Sequence, residues 1–295
     1  MKKTPVWVWV VAGGFLACAL TAVLSVILLF SRAGTLRGDG VGLVEVKGMI
    51  LDSQEVVKQL RDLGKDGRVK AVVLRVDSPG GIVAPSQEIH DEVKKLAGRK
   101  KVVVSMGSLA ASGGYYISAP ASLIFANPGT ITGSIGVLMK LTNVQGLMDK
   151  IGLKAFTLKT GEFKDSGSPL RPLTEAEKGV LQSVIDSAHS QFVRAVADGR
   201  KIPVDEVRKI ADGRVLSGEQ AKDLKLVDRL GTLQDAIEEA GRLGGIQGEP
   251  QVICPPKKKK LLLDLLVEEA AVRVTQTLRQ ETGLSAIYEP AAGVW

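Results

Sequence analysis

The chain is poor in the side chains on which most metal and redox chemistry depends. Only two cysteines, Cys18 and Cys254, and two histidines, His90 and His189, occur among 295 residues. Neither cysteine has a C-x-x-C or zinc-type partner, which excludes a disulfide framework and a zinc module and calls for no metal or cofactor. Charged residues make up 24% and aromatic residues 4% of the chain, the balance of a globular, aliphatic soluble part rather than a disordered one. Positive charge is in modest excess, +7 overall, and four of those charges form one run, Lys257–Lys260. Basicity concentrated in one tail segment argues against a nucleic-acid partner.

Charge is missing altogether from Val6 to Phe30, a run of 25 residues after "MKKTP". As a helix this run is about 37 Å long, enough for a hydrocarbon core of about 30 Å. Trp7 and Trp9 stand at its start, where indoles favour the membrane boundary. A cleaved signal peptide has a shorter apolar region of about 7–15 residues, and here the run continues for twelve residues past Cys18. The expectation is an uncleaved anchor over 6–30, preceded by a cytoplasmic 1–5 and followed by a Gly-containing linker, 31–40. Lys2 and Lys3 on one side and Arg32 and Arg37 on the other leave orientation nearly balanced by charge. The short basic N-terminus favours N-inside, with the large domain outside the cytoplasm.

From residue 41 to about 250 the patterns alternate. "VGLVEVKG", "VKAVVLRVDS" and "KKVVVSMG" read as strands, and "SQEVVKQLRDLGKD" and "SQEIHDEVKKLAGR" as amphipathic helices. Continuous apolar strands separated by helices imply an α/β domain with a mainly parallel sheet. A long helix follows in "TEAEKGVLQSVIDSAHSQFVRAVADGR", with Thr174 and Glu177 at capping-box spacing.

Two strands run into small-residue stretches, "DSPGG" (77–81) and "GSLAASGG" (107–114). In open α/β sheets ligands bind beyond the carboxyl ends of strands. Glycines there let a ligand approach backbone N–H groups, and Ser112 before Gly113 and Gly114 places a hydroxyl beside unpaired helix-start donors. That arrangement suits a nucleophile with an oxyanion hole, and equally an N-cap serine in a tight packing site. Both histidines fall inside amphipathic helices, which leaves a Ser-His-Asp triad without a loop-borne base. A lysine base must be held neutral, which takes about 4.6 kcal/mol at pH 7. Lys164, in the loop "TGEFKDSGSPLRP", is placed to reach a cleft, although a loop lysine is ordinarily a solvated one.

Five segments in order, "DSPGG", "SMGSLAASGGYYISAPA", "TGSIGV", "TGEFKDSGSPLRPLTEAEK" and "ADGRVLSGEQAKDLKLVDRLG", resemble the signal peptide peptidase A family in its short, single-anchor form. The resemblance implies a ClpP/crotonase-like fold of repeated ββα units. It also implies a membrane-bound serine endopeptidase that degrades signal peptides with a Ser-Lys dyad, in the bacterial inner membrane with its catalytic domain on the extracytoplasmic side. Carried over by position, Ser112 is the nucleophile and Lys164 the general base, and the N–H groups of Gly81 and Gly113 are the oxyanion donors. Gly80, Gly114 and Tyr115 would line a peptide groove, with packing under the helix the other reading for the tyrosine. Where the family has a glycine-rich loop after "SPGG", this chain has Ile82.

The family's double-length form takes serine and lysine from different halves of one chain. A single copy therefore implies a homo-oligomeric ring with shared active sites. Expected partners are signal-peptide remnants and other hydrophobic peptides, and lipid around the N-terminal helix. The stretch 251–295, basic and then apolar-rich, lies outside the resemblance and reads as a solvated tail or a subunit contact. A crotonase-like acyl-CoA enzyme shares the two-donor oxyanion hole but has no use for an anchor and a Ser-Gly-Gly turn. An inactive scaffold would be expected to have lost Ser112 or Lys164.

Overall fold

The computed structural model describes residues 38–255, five helical residues at positions 20, 21 and 23–25, and the backbone strand 284–287. Among the described residues no helix is long and apolar enough to cross a membrane. Most of the expected span, linker and C-terminal tail lies outside them. The chain divides into two compact units, Met1–Asp39 and Gly40–Trp295. All the candidate site residues, from Gly80 to Lys164, belong to the second unit.

The first half of that unit follows the expected alternation: β1 (Gly40–Lys47), α1 (Gln54–Lys65), β2 (Val69–Ser78), β3 (Gly80–Ile82), α2 (Val83–Ala97), β4 (Lys101–Ala111) and α3 (Gly113–Ser118). Then come β5 (Leu123–Ala126), β6 (Ile131–Gly133), β7 (Leu138–Met139), α4 (Gln145–Lys150), α5 (Glu175–Arg200) and α6 (Val204–Ile210). The unit continues through β8 (Val215–Ser217), α7 (Gly218–Asp223), β9 (Arg229–Leu230), α8 (Leu233–Leu243), β10 (Gln251–Ile253) and β11 (Leu284–Ile287).

The main sheet runs β10-β1-β2-β4-β5-β9, and every pair along this path is parallel. Successive residues of β2 and β4 face opposite sides. Val72, Leu74, Val102 and Val104 join the larger core with Leu60 of α1, Ile89 and Val93 of α2, and Phe192 of α5. Ala71, Val73 and Val103 pack against Ala236, Ile237 and Ala240 of α8. Both faces are covered, which is why these strands read as unbroken apolar runs. α1 buries Leu60 and Leu63 and rests Val56 and Val57 on the same core, the i, i+4, i+7 stripe that its sequence shows.

Two expectations about boundaries change. Strand β4 does not stop at Gly107 but continues through the small residues to Ala111, where its far end pairs with β6. Small side chains are needed because a Cβ on Gly107 would lie 2.7 Å from the Asp77 carboxyl carbon, and the Leu109 N–H donates to Asp77 Oδ1 at 3.1 Å. The catalytic sheet also reaches past residue 250, because β10 pairs with β1. Residues 251–253 therefore belong to the sheet rather than to a tail.

Candidate active site

Strands β2 and β4 set the site. After a register shift between Val76 and Ser78, Ser78 pairs with Ala110, so the two small-residue stretches lie side by side at the sheet's carboxyl edge. The chain then turns sharply at Ser112, whose φ of 53° and ψ of −118° lie outside the ordinary regions for a residue with a Cβ. Strain of this kind amounts to about 1–3 kcal/mol and persists only where the surroundings impose it. Here the Ser112 N–H donates to the Gly133 carbonyl (2.9 Å) and the Tyr116 N–H to the Ser112 carbonyl (2.8 Å). The Ser112 side chain is buried, 1% exposed, and its Oγ has no hydrogen-bond partner. Although Ser112 precedes α3 it makes no side-chain cap, so the N-cap reading of this serine fails.

Helix α3 begins immediately with Gly113 and Gly114. First-turn N–H groups have no intrahelical acceptor, and since the N–H of Ser112 is committed to Gly133, Gly113 is the first donor beside the hydroxyl. Gly114 is glycine because a Cβ would sit 2.7 Å from the Ser78 carbonyl oxygen. Tyr115 corrects an expectation. It is fully buried, its hydroxyl donates to the Leu226 carbonyl at 2.9 Å, and burial pushes its pKa up. It supports the turn from beneath and presents nothing to a peptide.

Across from Ser112 stands β3. Gly80 takes φ of 98°, and its N–H donates to Ser78 Oγ at 3.1 Å. The Ile50 N–H donates to the Gly80 carbonyl (2.9 Å) and the Ile82 N–H to the Ile50 carbonyl (2.8 Å). Alternate residues of a strand present their backbone groups to opposite edges. Gly81, between these two bonds, therefore turns its N–H and C=O away from Ile50 to the other edge. No larger residue fits, because a Cβ would lie 2.1 Å from the Ile50 carbonyl oxygen. Ile50 and Asp77, which the sequence alone did not single out, are thus the residues that fix the two small-residue stretches. A single isoleucine carbonyl acting as a clamp leaves no sequence signal. The aspartate before "SPGG" was visible but its acceptor role was not.

Lys164 lies elsewhere in character. It is exposed, in the turn following Gly161, and its N–H donates to the Gly161 carbonyl at 3.3 Å. The adjacent Asp165 is clamped. Arg171 Nη2 and Nε reach its carboxylate at 2.8 and 3.0 Å, and Lys159 Nζ at 2.5 Å. Arg171 also holds Glu177, which closes the capping box with Thr174 at the start of α5. Hydrogen bonds from Arg171 hold Asp165 well below the usual carboxylate range and Glu177 down at about 2. Within one chain Ser112 and Lys164 do not form a hydrogen-bonded dyad, since Ser112 Oγ has no partner.

Neither histidine is hydrogen-bonded to Ser112. His90 is buried in contact with Tyr116, ring centroids 5.0 Å apart, and burial lowers its pKa. His189 Nε2 donates to the Ala211 carbonyl at 2.7 Å. A cavity of about 620 Å³ lined by His90, Lys94, Asp198, Arg200 and Asp228 contains none of the site residues. Among the described residues no cluster is suited to holding a metal ion.

A strained, buried serine thus stands between two glycine-rich strand ends, and comparison with known proteins shows the family. The model of peptidase family S49 matches residues 94–247, and that of Clp protease matches residues 46–125. The protease-named protein MJ0651 of Methanocaldococcus jannaschii is 42% identical over 217 residues, 74% of this chain and 68% of its own length. Protease 4 of Salmonella typhi is 38% identical over 73% of this chain, in a match taking up 38% of that protein. The chloroplastic serine protease SPPA of Arabidopsis thaliana is 33% identical over 79% of this chain and 34% of its own. Among solved structures, a ClpP1 mutant from Listeria monocytogenes aligns at 20% identity and a TM-score of 0.46, over 66% of this chain and 94% of that one. The chain belongs to peptidase family S49. It is a serine protease of the signal peptide peptidase A type with an α/β, ClpP-like fold.

Proposed function

We propose that Ser112 is the nucleophile of this protease, Lys164 its general base, and the N–H groups of Gly81 and Gly113 its oxyanion donors. The observation that carries this reading is the unpartnered, buried Oγ of Ser112, held at a strained turn between glycine-rich strand ends. In the reaction a neutral lysine takes the Ser112 hydroxyl proton as Oγ bonds to the scissile carbonyl carbon. The oxyanion is stabilised by the two N–H groups. Collapse breaks the C–N bond with the proton passing to the leaving amine, and water then releases the acyl group.

Lys164 comes from a neighbouring copy. The segment carrying it exposes Leu147, Ile151, Leu153, Phe156, Leu158 and Phe163, apolar side chains that a subunit contact would cover. Docking this segment on a second chain covers that surface and brings Lys164 to a serine, around a closed ring of heterologous contacts. Covering by a neighbour also removes the lysine from water, which favours its neutral form. The substrates are signal-peptide remnants and other hydrophobic peptides, which enter the groove without a desolvated charge. The N-terminal run 6–30 anchors the protein in the membrane, with the catalytic unit on the extracytoplasmic side. The exposed Leu20, Val23 and Leu24 of the helical residues described there suit contact with lipid.

A fluorophosphonate probe tests the nucleophile. The expected result is one covalent adduct, located on Ser112 by peptide mass spectrometry and absent from Ser112→Ala. An unlabelled native protein that hydrolyses peptides, or an adduct on another serine, contradicts the assignment.

A further inference from the structure

Between Val76 and Ser78 the ladder of β2 and β4 loses its one-to-one register. Val76 stands opposite Met106 and Ser78 opposite Ala110, so Asp77 alone on β2 faces Gly107, Ser108 and Leu109 on β4. The surplus residues of β4 form a bulge, a device that bends a strand and re-aims the side chains beyond it. Here it carries β4 from one partner to another. Residues 103–105 pair with β5, and residues 109–111 pair with β6. Ser112 follows directly, its N–H donated to the carbonyl of Gly133 at the end of β6. Where the bulge sits therefore decides where Ser112 stands.

Two side chains pin it. The Asp77 carbonyl accepts from the Gly48 N–H beyond β1, and the Asp77 side chain crosses to β4, where Oδ1 accepts from the Leu109 N–H at 3.1 Å. The carboxylate thus stands in for the main-chain acceptor that the lost register removes. From the other side Thr130, which is buried, donates from Oγ1 to the Gly107 carbonyl at 2.7 Å and accepts from the Asn127 N–H at 3.1 Å.

We propose that Asp77 is a positioning residue of the protease, which aims Ser112 at the scissile carbonyl through the main chain of Leu109. This rests on Ser112 being the nucleophile. The role needs an acceptor oxygen and not a charge, because the group it serves is a neutral N–H. Without that oxygen the Leu109 N–H loses its partner and the bulge is free to shift. Reacting groups have to be held within about 0.5 Å of their productive geometry, and a misplacement of about 1 Å costs about a hundredfold in rate. The proposed peptide groove along β3 is untouched by this change, so kcat falls and KM does not.

The test compares the native chain with Asp77→Ala, Asp77→Asn and Thr130→Val in kcat, KM, the rate of fluorophosphonate labelling of Ser112, and Tm. Asp77→Ala is expected to lose about tenfold to a hundredfold in kcat and labelling rate together, with KM near the native value. Asp77→Asn keeps an oxygen at the same reach and is expected to restore most of both. Thr130→Val holds the side chain's shape but drops the hydroxyl, and is expected to lower kcat several-fold at unchanged KM. Native kcat and labelling in Asp77→Ala overturn the proposal, and so does an asparagine variant as impaired as the alanine one. A fall in kcat that vanishes per folded molecule assigns Asp77 to stability alone and overturns it too. If Asp77→Ala does not fold, native kcat in Thr130→Val is the overturning result. A native chain that hydrolyses peptides without being labelled at Ser112 would instead overturn the nucleophile reading beneath it.

Discussion

Removing the Ser112 hydroxyl should make the fold more stable. Two liabilities meet at Ser112: a buried Oγ without a partner and a backbone at φ 53°, ψ −118°. An unsatisfied buried hydroxyl costs about 1–3 kcal/mol, and a residue held in such a backbone region about 1–3 kcal/mol more. Ser112→Ala removes the first and keeps the second, for a gain of about 2 kcal/mol. Ser112→Gly removes both but returns about 0.5–1 kcal/mol through the greater freedom of glycine in the unfolded chain, for a gain of about 3 kcal/mol. In a unit of this size 1 kcal/mol moves Tm by about 2–4 °C. Ser112→Ala should therefore melt about 4–8 °C higher and Ser112→Gly a few degrees higher again. Calorimetry is best done in a Lys164→Ala background, where no lysine reaches the hydroxyl from a neighbour. Both variants melting at or below their parent would refute the claim that this turn stores strain for function.

Lys164→Arg should lose activity while folding and assembling normally, because a guanidinium stays protonated in proteins. Turnover near the native rate would remove Lys164 from the base role. Peptides with Lys or Asp beside the cut should have kcat/KM at least about a hundredfold below those with Leu or Ala, since an unpaired charge is desolvated there at several kcal/mol; equal rates measured by mass spectrometry would oppose an apolar groove. The clamp beside Lys164 gives a pH signature. Asp165 and Glu177 are depressed carboxylates, so their contribution is complete above the ordinary value of 4.5 for Glu177 and is lost as pH falls toward about 2. The stability difference between the native chain and Arg171→Gln should accordingly be level above pH 4.5 and close below it in acid-unfolding curves. A gap that widens toward low pH would contradict the clamp.

Most of the sheet was legible because apolar runs such as "VKAVVLRV" are buried on both faces, and α1 and α5 announced themselves by apolar stripe and capping box. The site was legible as residue types at strand ends, but its geometry was not. Small residues 107–111 read as loop since neither bulk nor alternation marks them, although they form the strand that presents Ser112 against Asp77 and Ser78. Tyr115 sits one helical step from a groove position, and only packing decided that it points to Leu226. That Ser112 and Lys164 do not meet within a chain has no local signal at all. The pairing of residues 284–287 with β3 was equally hidden, because a four-residue uncharged stretch carries no period from which a partner can be read.

The pairing of the serine with a neighbour's lysine is tested most directly by complementation. Ser112→Ala and Lys164→Ala chains, each inactive alone, are unfolded together, reassembled at random and assayed on an apolar peptide. If each site joins Ser112 of one chain to Lys164 of the next, about a quarter of the sites are whole and activity returns in proportion. A verified mixed assembly without any activity would place both groups in one chain and contradict the shared site.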